Sequence, residues 1–464
     1  MWMDRKSLSY AKWLEAISVE GFKSIRDRQH IALRPITVLA GPNSSGKSSF
    51  MQALLLIKQT QEEQANYGPL LLSGPQVTFR NYRELFWRHG EGSKPPVYSV
   101  GMMMVDDFWY QQSYKLGQKS GTDAEIVLSE CEFHEEFRGK WEDCIFKRDS
   151  LVGVSDLPHF ERHAFSRVQG PMKVTSEKGF MILEEQKPKR AADRTESWRP
   201  CVLHPMSPLA DLLRDTIHLP GLRGNPAREY ELAYSGGWSQ ESRRGSYPGS
   251  FLTYVAGLLY NWSNSKISDD VKKIARLNGY LLRLGFTSGI NVKRVSDTAA
   301  EIQVQRVMSG HPDASDMVSI ADVGLGLSQT LPVLVGLLAA HEGGLVHIEQ
   351  PEIHLHPRAQ YDLASIVADA TKYTRARAVI ETHSPLFILG IQTLVAEGKI
   401  KASDVSLNWF SRDKDGATSV TTTELDDRGR FGDWPEDFDE VSLLAEKEYM
   451  MAQMKLRGRG DHEA

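Results

Sequence analysis

The 464-residue chain is poor in cysteine: Cys131, Cys144 and Cys201 are the only three, and none sits in a CxxC pair. That argues against a disulfide scaffold and a thiolate zinc site, and fits a reducing compartment. Long apolar runs are also missing, since the longest are too short and too interrupted to cross a bilayer. The opening stretch MWMDRKSLSYAKWLEA has no continuous apolar core of the signal-peptide kind, so a cytoplasmic protein without a membrane partner is expected. No long basic arm occurs; the formal charge of -5 is spread over segments of mixed sign, and any DNA contact must be local. Sustained heptads are absent as well, which excludes a long coiled coil. What is there is ordinary globular material, 41% hydrophobic and 25% charged, enough for two or three packed units.

Along the chain, Ile17 to Phe22 and Pro35 to Ala40 read as strands: short, β-rich and bounded by Gly, Pro and charge. A glycine-rich loop follows, and then SSFMQALLLIKQTQEE places Phe50, Leu54 and Ile57 on one helical face. Between Thr78 and Thr216 clear periodicity is lost, and a basic stretch runs from Lys187 to Arg199. Order returns at Ile217 to Pro226, in a helix around Leu252 to Trp262 and in a strand from Glu301 to Val307. The last third alternates Leu345 to Ile348, a helix Arg358 to Thr371, Ala378 to Ile380 and a helix Leu386 to Glu397, which implies a mostly parallel sheet with helices on it. Val405 to Leu425, turning at Asp415-Gly416, reads as a closing hairpin before an acidic and then helical tail. The expected division is a first core half at 1–77, an inserted region at 78–216, a second core half at 217–425 and a tail at 426–464.

Gly41-Pro42-Asn43-Ser44-Ser45-Gly46-Lys47-Ser48 fits GxxxxGK[ST] between a strand and a helix. Glycines let backbone N–H groups wrap phosphates, the helix start adds partial positive charge, and Lys47 reaches the terminal phosphates. Gly41, Asn43, Ser44, Ser45, Gly46, Lys47, Ser48 and Ser49 are therefore candidate ATP contacts, with Ser48 on Mg²⁺. In GGLVHIEQPEIHLHP an apolar strand ends in Glu349, the anionic oxygen that Mg²⁺ needs beside such a loop. A second strand leads into Glu381-Thr382-His383-Ser384, where His383 can donate to a γ-phosphate. Gly324, Gly326, Ser328 and Gln329, at a helix start, form a small-residue nest suited to an anion from another subunit, with a flexible turn before a buried helix as the plain alternative.

Other clusters carry less. Glu352, His354 and His356 alternate in direction after a strand, His159 and His163 lack a third ligand, and Cys131, His134 and Cys144 lack paired cysteines. Asp193 and Glu196 interrupt the Lys187 to Arg199 stretch, which favours a solvated face over phosphate contact.

In this order the motifs resemble those of the ABC-type ATPases related to recombination-mediator, chromosome-maintenance and OLD (overcoming lysogenization defect) proteins, in particular stand-alone bacterial AAA-family members of the antiphage-defence type. ISVEGFKSI before the loop and PEIHLHP after the acidic strand carry the likeness, over roughly Ile17 to Gln61 and Asp322 to Ala452. The resemblance implies an α/β fold, an ABC-type P-loop ATPase core with an inserted irregular α+β region. It also implies ATP and Mg²⁺ at Lys47, Ser48 and Glu349, a signature at Ser328 read by a second copy, and a switch at His383. Gln76 is a weak candidate for the Q-loop glutamine.

One departure stands out. Such ATPases follow the acidic residue with a glutamate that polarises water, whereas this chain has Gln350, whose amide orients water without accepting its proton. Slow hydrolysis is expected, with Glu352 or the γ-phosphate as a substitute base. Two functions stay open: a nucleotide-dependent dimeric sensor or scaffold in antiviral defence, and a DNA-repair or DNA-end-binding ATPase. The first comes with a head-to-tail homodimer or higher oligomer and a separate effector such as a nuclease, because no HNH or Toprim pattern is visible in the chain; DNA contact is left open.

Overall fold

The computed structural model describes residues 13–63, 68–87, 96–104, 108–118, 124–137, 140–158, 162, 168, 170–185, 202–203, 207–232, 251–306 and 316–432. His159, His163, Cys201, the Lys187 to Arg199 stretch and the tail past 432 lie outside the described residues.

The fold is α/β, built around a six-stranded sheet in the order Ile217–Leu219, Leu345–Glu349, Arg377–Glu381, Ile36–Ala40, Val405–Arg412 and Thr418–Thr423. The first five strands are parallel, and the last returns antiparallel through the hairpin. Successive residues of a strand face opposite sides, so each short apolar strand feeds two cores. Ile36, Val38 and Ala40 join Val346, Ile348, Ala378 and Ile380 on one side, where the helices Phe251–Asn264, Ser268–Arg283, Leu325–Ala339, Pro357–Thr374 and Pro385–Ala396 pack. Leu39, Leu345, Val379 and Phe410 face the other side, against Phe50 and Leu54 of the helix Lys47–Glu62. Burial on both faces explains why these strands read as short apolar runs without alternation.

Helix starts follow their local chemistry. Pro357 and Pro385 occupy the first turn of their helices, where a missing N–H is harmless. Ser384 caps the second of these by accepting from the Phe387 amide at 3.1 Å, which fixes the direction in which His383 leaves the preceding strand.

The described part of Thr78 to Thr216 is more regular than its sequence pattern suggests. Val97–Met104, Phe108–Gln118, Ala124–Phe137 and Lys140–Lys147 form an antiparallel sheet with Leu14–Glu20 and Gln29–Ala32, so the chain before the P-loop is a member of the same sheet. A second, four-stranded sheet holds Leu151–Val152, Met172–Glu177, Phe180–Glu185 and Val202–Leu203. Two features hid the larger sheet. Pairing shifts between Ser113 and Tyr114, with Ser113 opposite Glu130 and Tyr114 opposite Leu128, so a bulge at Ser129 reverses the alternation along one strand. Its inner face also holds Tyr98, Gln112 and Tyr114 fully buried, with the Tyr110 hydroxyl donating to Gln112 at 2.8 Å, and such polar residues mask a hydrophobic pattern.

Candidate functional site

The loop Gly41–Ser48 leaves the carboxyl end of Ile36–Ala40 and enters the helix at Lys47. Its turn needs residues without side chains: Gly41 has φ +139°, and a Cβ there would lie 2.2 Å from the Phe410 carbonyl oxygen. Gly46 has φ +111°, and a Cβ there would meet the Thr418 hydroxyl at 2.3 Å. That hydroxyl donates to the Ser45 carbonyl at 2.8 Å, so the closing hairpin props up the loop. The Lys47 ammonium folds back onto the carbonyls of Gly41 and Pro42 at 2.9 and 2.8 Å. Burial lowers its pKa, against the opposing charges of Glu381 and Glu352. An open cleft of about 280 Å³ over the loop is lined by Ser44 to Ser49 together with Lys23, Ser24 and Arg412. Lys23 belongs to the ISVEGFKSI motif, whereas Arg412 carried no sequence signal.

Two carboxylates stand side by side at the same edge, Glu349 opposite Glu381 in the register of adjacent parallel strands. The Ser48 hydroxyl donates to Glu381 Oε2 at 2.7 Å. The other Glu381 oxygen accepts from His347 Nε2 at 2.9 Å. Glu349 instead meets His218 Nε2 at 3.0 Å and accepts from the Gly221 amide at 3.2 Å. Burial pushes its pKa up, but the His218 bond, the charges of His347 and His218, and the Gly221 amide outweigh it and hold Glu349 at about 2. The imidazoles of His218 and His347 stack at 4.9 Å with 9° between planes. Gln76 closes the chain, its Oε1 lying 2.8 Å from His218 Nδ1.

Gln350 has φ +45°, a backbone conformation that side chains rarely adopt, and its amide donates to the Glu381 carbonyl at 2.7 Å. Arg223 donates to the Glu349 carbonyl, and at 3.4 Å to that of Gln350. Burial brings Arg223 down to about 10, with Glu352 and Glu349 opposing. Glu352 is buried, with Oε1 accepting from the His383 amide at 2.7 Å and Oε2 without a partner. Burial raises its pKa. The His383 ring is lowered by burial and by the Lys47 charge, which favours its neutral form.

The structure separates the signature residues from one another. Gly324 caps the helix Leu325–Ala339, and half-exposed Leu325 follows it. Ser328 is fully buried and its hydroxyl donates to the Leu325 carbonyl at 2.9 Å. Gln329 donates to the Gly224 carbonyl at 2.6 Å and accepts from the Arg223 amide at 3.3 Å. What this helix shows outward is its amino end, not the Ser328 hydroxyl.

Among the described residues, one group of His and acidic side chains places ligand atoms within 4.8 Å of one another: His218, His347 and Glu349. The sequence pattern draws attention to Glu352, His354 and His356, which are set aside as a metal cluster, and gives no sign of this group, although His347 and Glu349, two apart on a strand, share a face. Both His218 nitrogens and His347 Nε2 are already hydrogen-bonded, so the group reads as a network supporting the two carboxylates.

Two family models match separate parts of the chain. Residues 13–119 match a model described as "AAA ATPase domain". Residues 237–389 match one described as "AAA domain, putative AbiEii toxin, Type IV TA system". No curated protein matches the chain. Among solved structures, an SmcHead bound to the C-winged helix domain of ScpA is 10% identical, with 89% of this chain and 98% of that chain covered and a TM-score of 0.42. The SMC head domain from Thermotoga maritima is 10% identical, with 88% and 98% covered and a TM-score of 0.36. An Smc head domain with an extended coiled coil, bound to the C-terminal domain of ScpA derived from Pyrococcus furiosus, is 10% identical, with 89% and 96% covered and a TM-score of 0.43. No helix among the described residues is long and apolar enough to cross a membrane.

Proposed function

We propose that this chain, an ABC-type member of the AAA ATPases, binds ATP with Mg²⁺ at Gly41–Ser49 and works as a nucleotide-held dimer in bacterial antiviral defence with a separate effector. The observation that carries the nucleotide reading is the Ser48–Glu381 contact beside the glycine-lined loop. A hydroxyl and two carboxylates at one sheet edge are the hard oxygen donors that suit Mg²⁺, and Lys47 stands at the loop with only backbone carbonyls as hydrogen-bond partners. Bound Mg²⁺ would offset charge on the phosphates. The chain's own groups do the rest. The amide groups of the loop and of the helix start hold the phosphates, Lys47 turns from its carbonyls to the terminal phosphate, and His383 donates to it.

Hydrolysis rests on Glu352. Gln350 orients water but accepts no proton, whereas Glu352 lies near enough to Lys47 and Arg223 for their charges to couple and has a bare oxygen. A carboxyl whose pKa is raised by burial is poised to take a proton nearer neutral pH than an exposed one.

Dimerisation follows from the helix Leu325–Ala339, whose exposed amino end suits the γ-phosphate of a second copy. One surface feature supports an effector. Trp141 and Ile145 are 60% and 54% exposed on the outer strand Lys140–Lys147, and large apolar side chains gathered on a surface suit a protein partner. The match of residues 237–389 to a domain described as "AAA domain, putative AbiEii toxin, Type IV TA system" supports defence over repair. The test is equilibrium binding of ATP·Mg²⁺ by wild type and Lys47→Ala, followed by pull-down from the native operon. Nucleotide binding lost in the variant, with a co-purifying effector, supports the reading; unchanged binding, or a lone protein with full activity, counts against it.

A further inference from the structure

The motif order assigns the metal-facing carboxylate to Glu349, at the end of its strand, yet the geometry favours its neighbour. In a P-loop site the hydroxyl after the lysine faces the metal, and here that hydroxyl, Ser48 Oγ, donates to Glu381. Glu381 is only 2% exposed, and among the described hydrogen bonds its carboxylate meets Ser48 and His347 alone. A carboxylate buried this deeply is expensive unless a cation or several donors compensate it. Glu349 is satisfied differently, with one oxygen at His218 and the other at the Gly221 amide, both on the far side from the P-loop strand.

Taking the ATP·Mg²⁺ reading as given, we propose that Glu381 is the principal protein carboxylate for the metal. His347 is its positioning residue, holding Oε1 so that Oε2 stays on Ser48. The stacked rings extend this support: His347 holds Glu381, His218 holds Glu349, and ring against ring keeps both carboxylates in register. Partners that orient a metal ligand in this way typically change metal affinity by about 10 to 100-fold when removed.

The experiment is an electron paramagnetic resonance titration of Mn²⁺ into the full-length protein with a non-hydrolysable ATP analogue. Analogue binding in EDTA and thermal melting are recorded for each variant. Glu381→Gln is expected to weaken Mn²⁺ by roughly tenfold or more with analogue binding in EDTA retained, and His347→Gln to weaken it comparably. Glu349→Gln is expected to do less. Should Glu381→Gln fail to fold, Glu381→Asp keeps the charge but withdraws it by one methylene, and is read in the same way. Wild-type Mn²⁺ affinity in the Glu381 variant, or a larger loss in Glu349→Gln, overturns this assignment alone. A wild-type protein that binds no nucleotide overturns the ATP reading and this assignment with it.

Discussion

The two six-stranded sheets of this molecule place their polar residues by opposite rules. In the parallel sheet the central strands are mostly apolar on both faces, with Thr37, His218, His347, Ser406 and Asn408 as buried exceptions, and the candidate chemistry collects toward the carboxyl ends, where Gly41, Glu349 and Glu381 follow Ala40, Ile348 and Ile380. In the antiparallel sheet polar residues run the length of the strands and also enter the interior, as Gln112 and the buried tyrosines do. Substitution at the edge of the first sheet should therefore change nucleotide chemistry with little change in fold. Substitution on the outer face of the second should change partners and leave the nucleotide alone.

The largest effect is expected from Lys47→Ala, which removes the ammonium proposed to meet the terminal phosphate: ATP affinity should fall by about 100-fold or more in fluorescent-analogue titration. A fall of less than about threefold would move the phosphate site elsewhere. Next comes Glu352→Gln, which should lower single-turnover hydrolysis by about 10² to 10⁴-fold while ATP still binds. The sign of the pH dependence follows from the raised pKa of Glu352. The base works when deprotonated, so hydrolysis is lost as pH falls through a value above the ordinary glutamate 4.5, and the acid limb of the wild-type profile should sit there. Gln350→Glu should raise turnover by a smaller factor, because the new carboxylate shares its surroundings with Glu352. Smallest is the double change Trp141→Ser with Ile145→Ser: both side chains are exposed, so melting and ATP affinity should stay within a few tenths of a kcal/mol of wild type while effector capture is lost. Retained capture would remove that strand from the interface.

The contrast also explains what could be read in the sequence. Short apolar strands ending in Gly, Glu or Glu-Thr-His announce a parallel sheet and the edge that carries the candidate site, because ligands of such sheets gather at the carboxyl ends of the strands. Lys47, Ser48 and His383 stood out as candidates for that reason. Glu381 stood in the same motif as His383 but was passed over, since its meaning depends on Ser48, 333 positions away in the chain. His218 was invisible as a support for Glu349, because only the pairing of Ile217–Leu219 with Leu345–Glu349 brings it there. The antiparallel sheet escaped recognition where the bulge at Ser129 broke its alternation, a change of phase that local pattern reading takes for loss of structure.

That ATP joins two copies head to tail stands or falls on sedimentation of the Glu352→Gln protein, in which slow hydrolysis keeps nucleotide in place, with and without ATP and Mg²⁺. A doubling of mass is expected with nucleotide, and its loss is expected in the further variant Leu325→Glu. That variant puts a negative charge where the second copy's γ-phosphate would sit, and a glutamate in a first helical turn leaves the helix itself stable. A mass that stays the same with and without ATP, or a dimer that survives Leu325→Glu, would contradict the account.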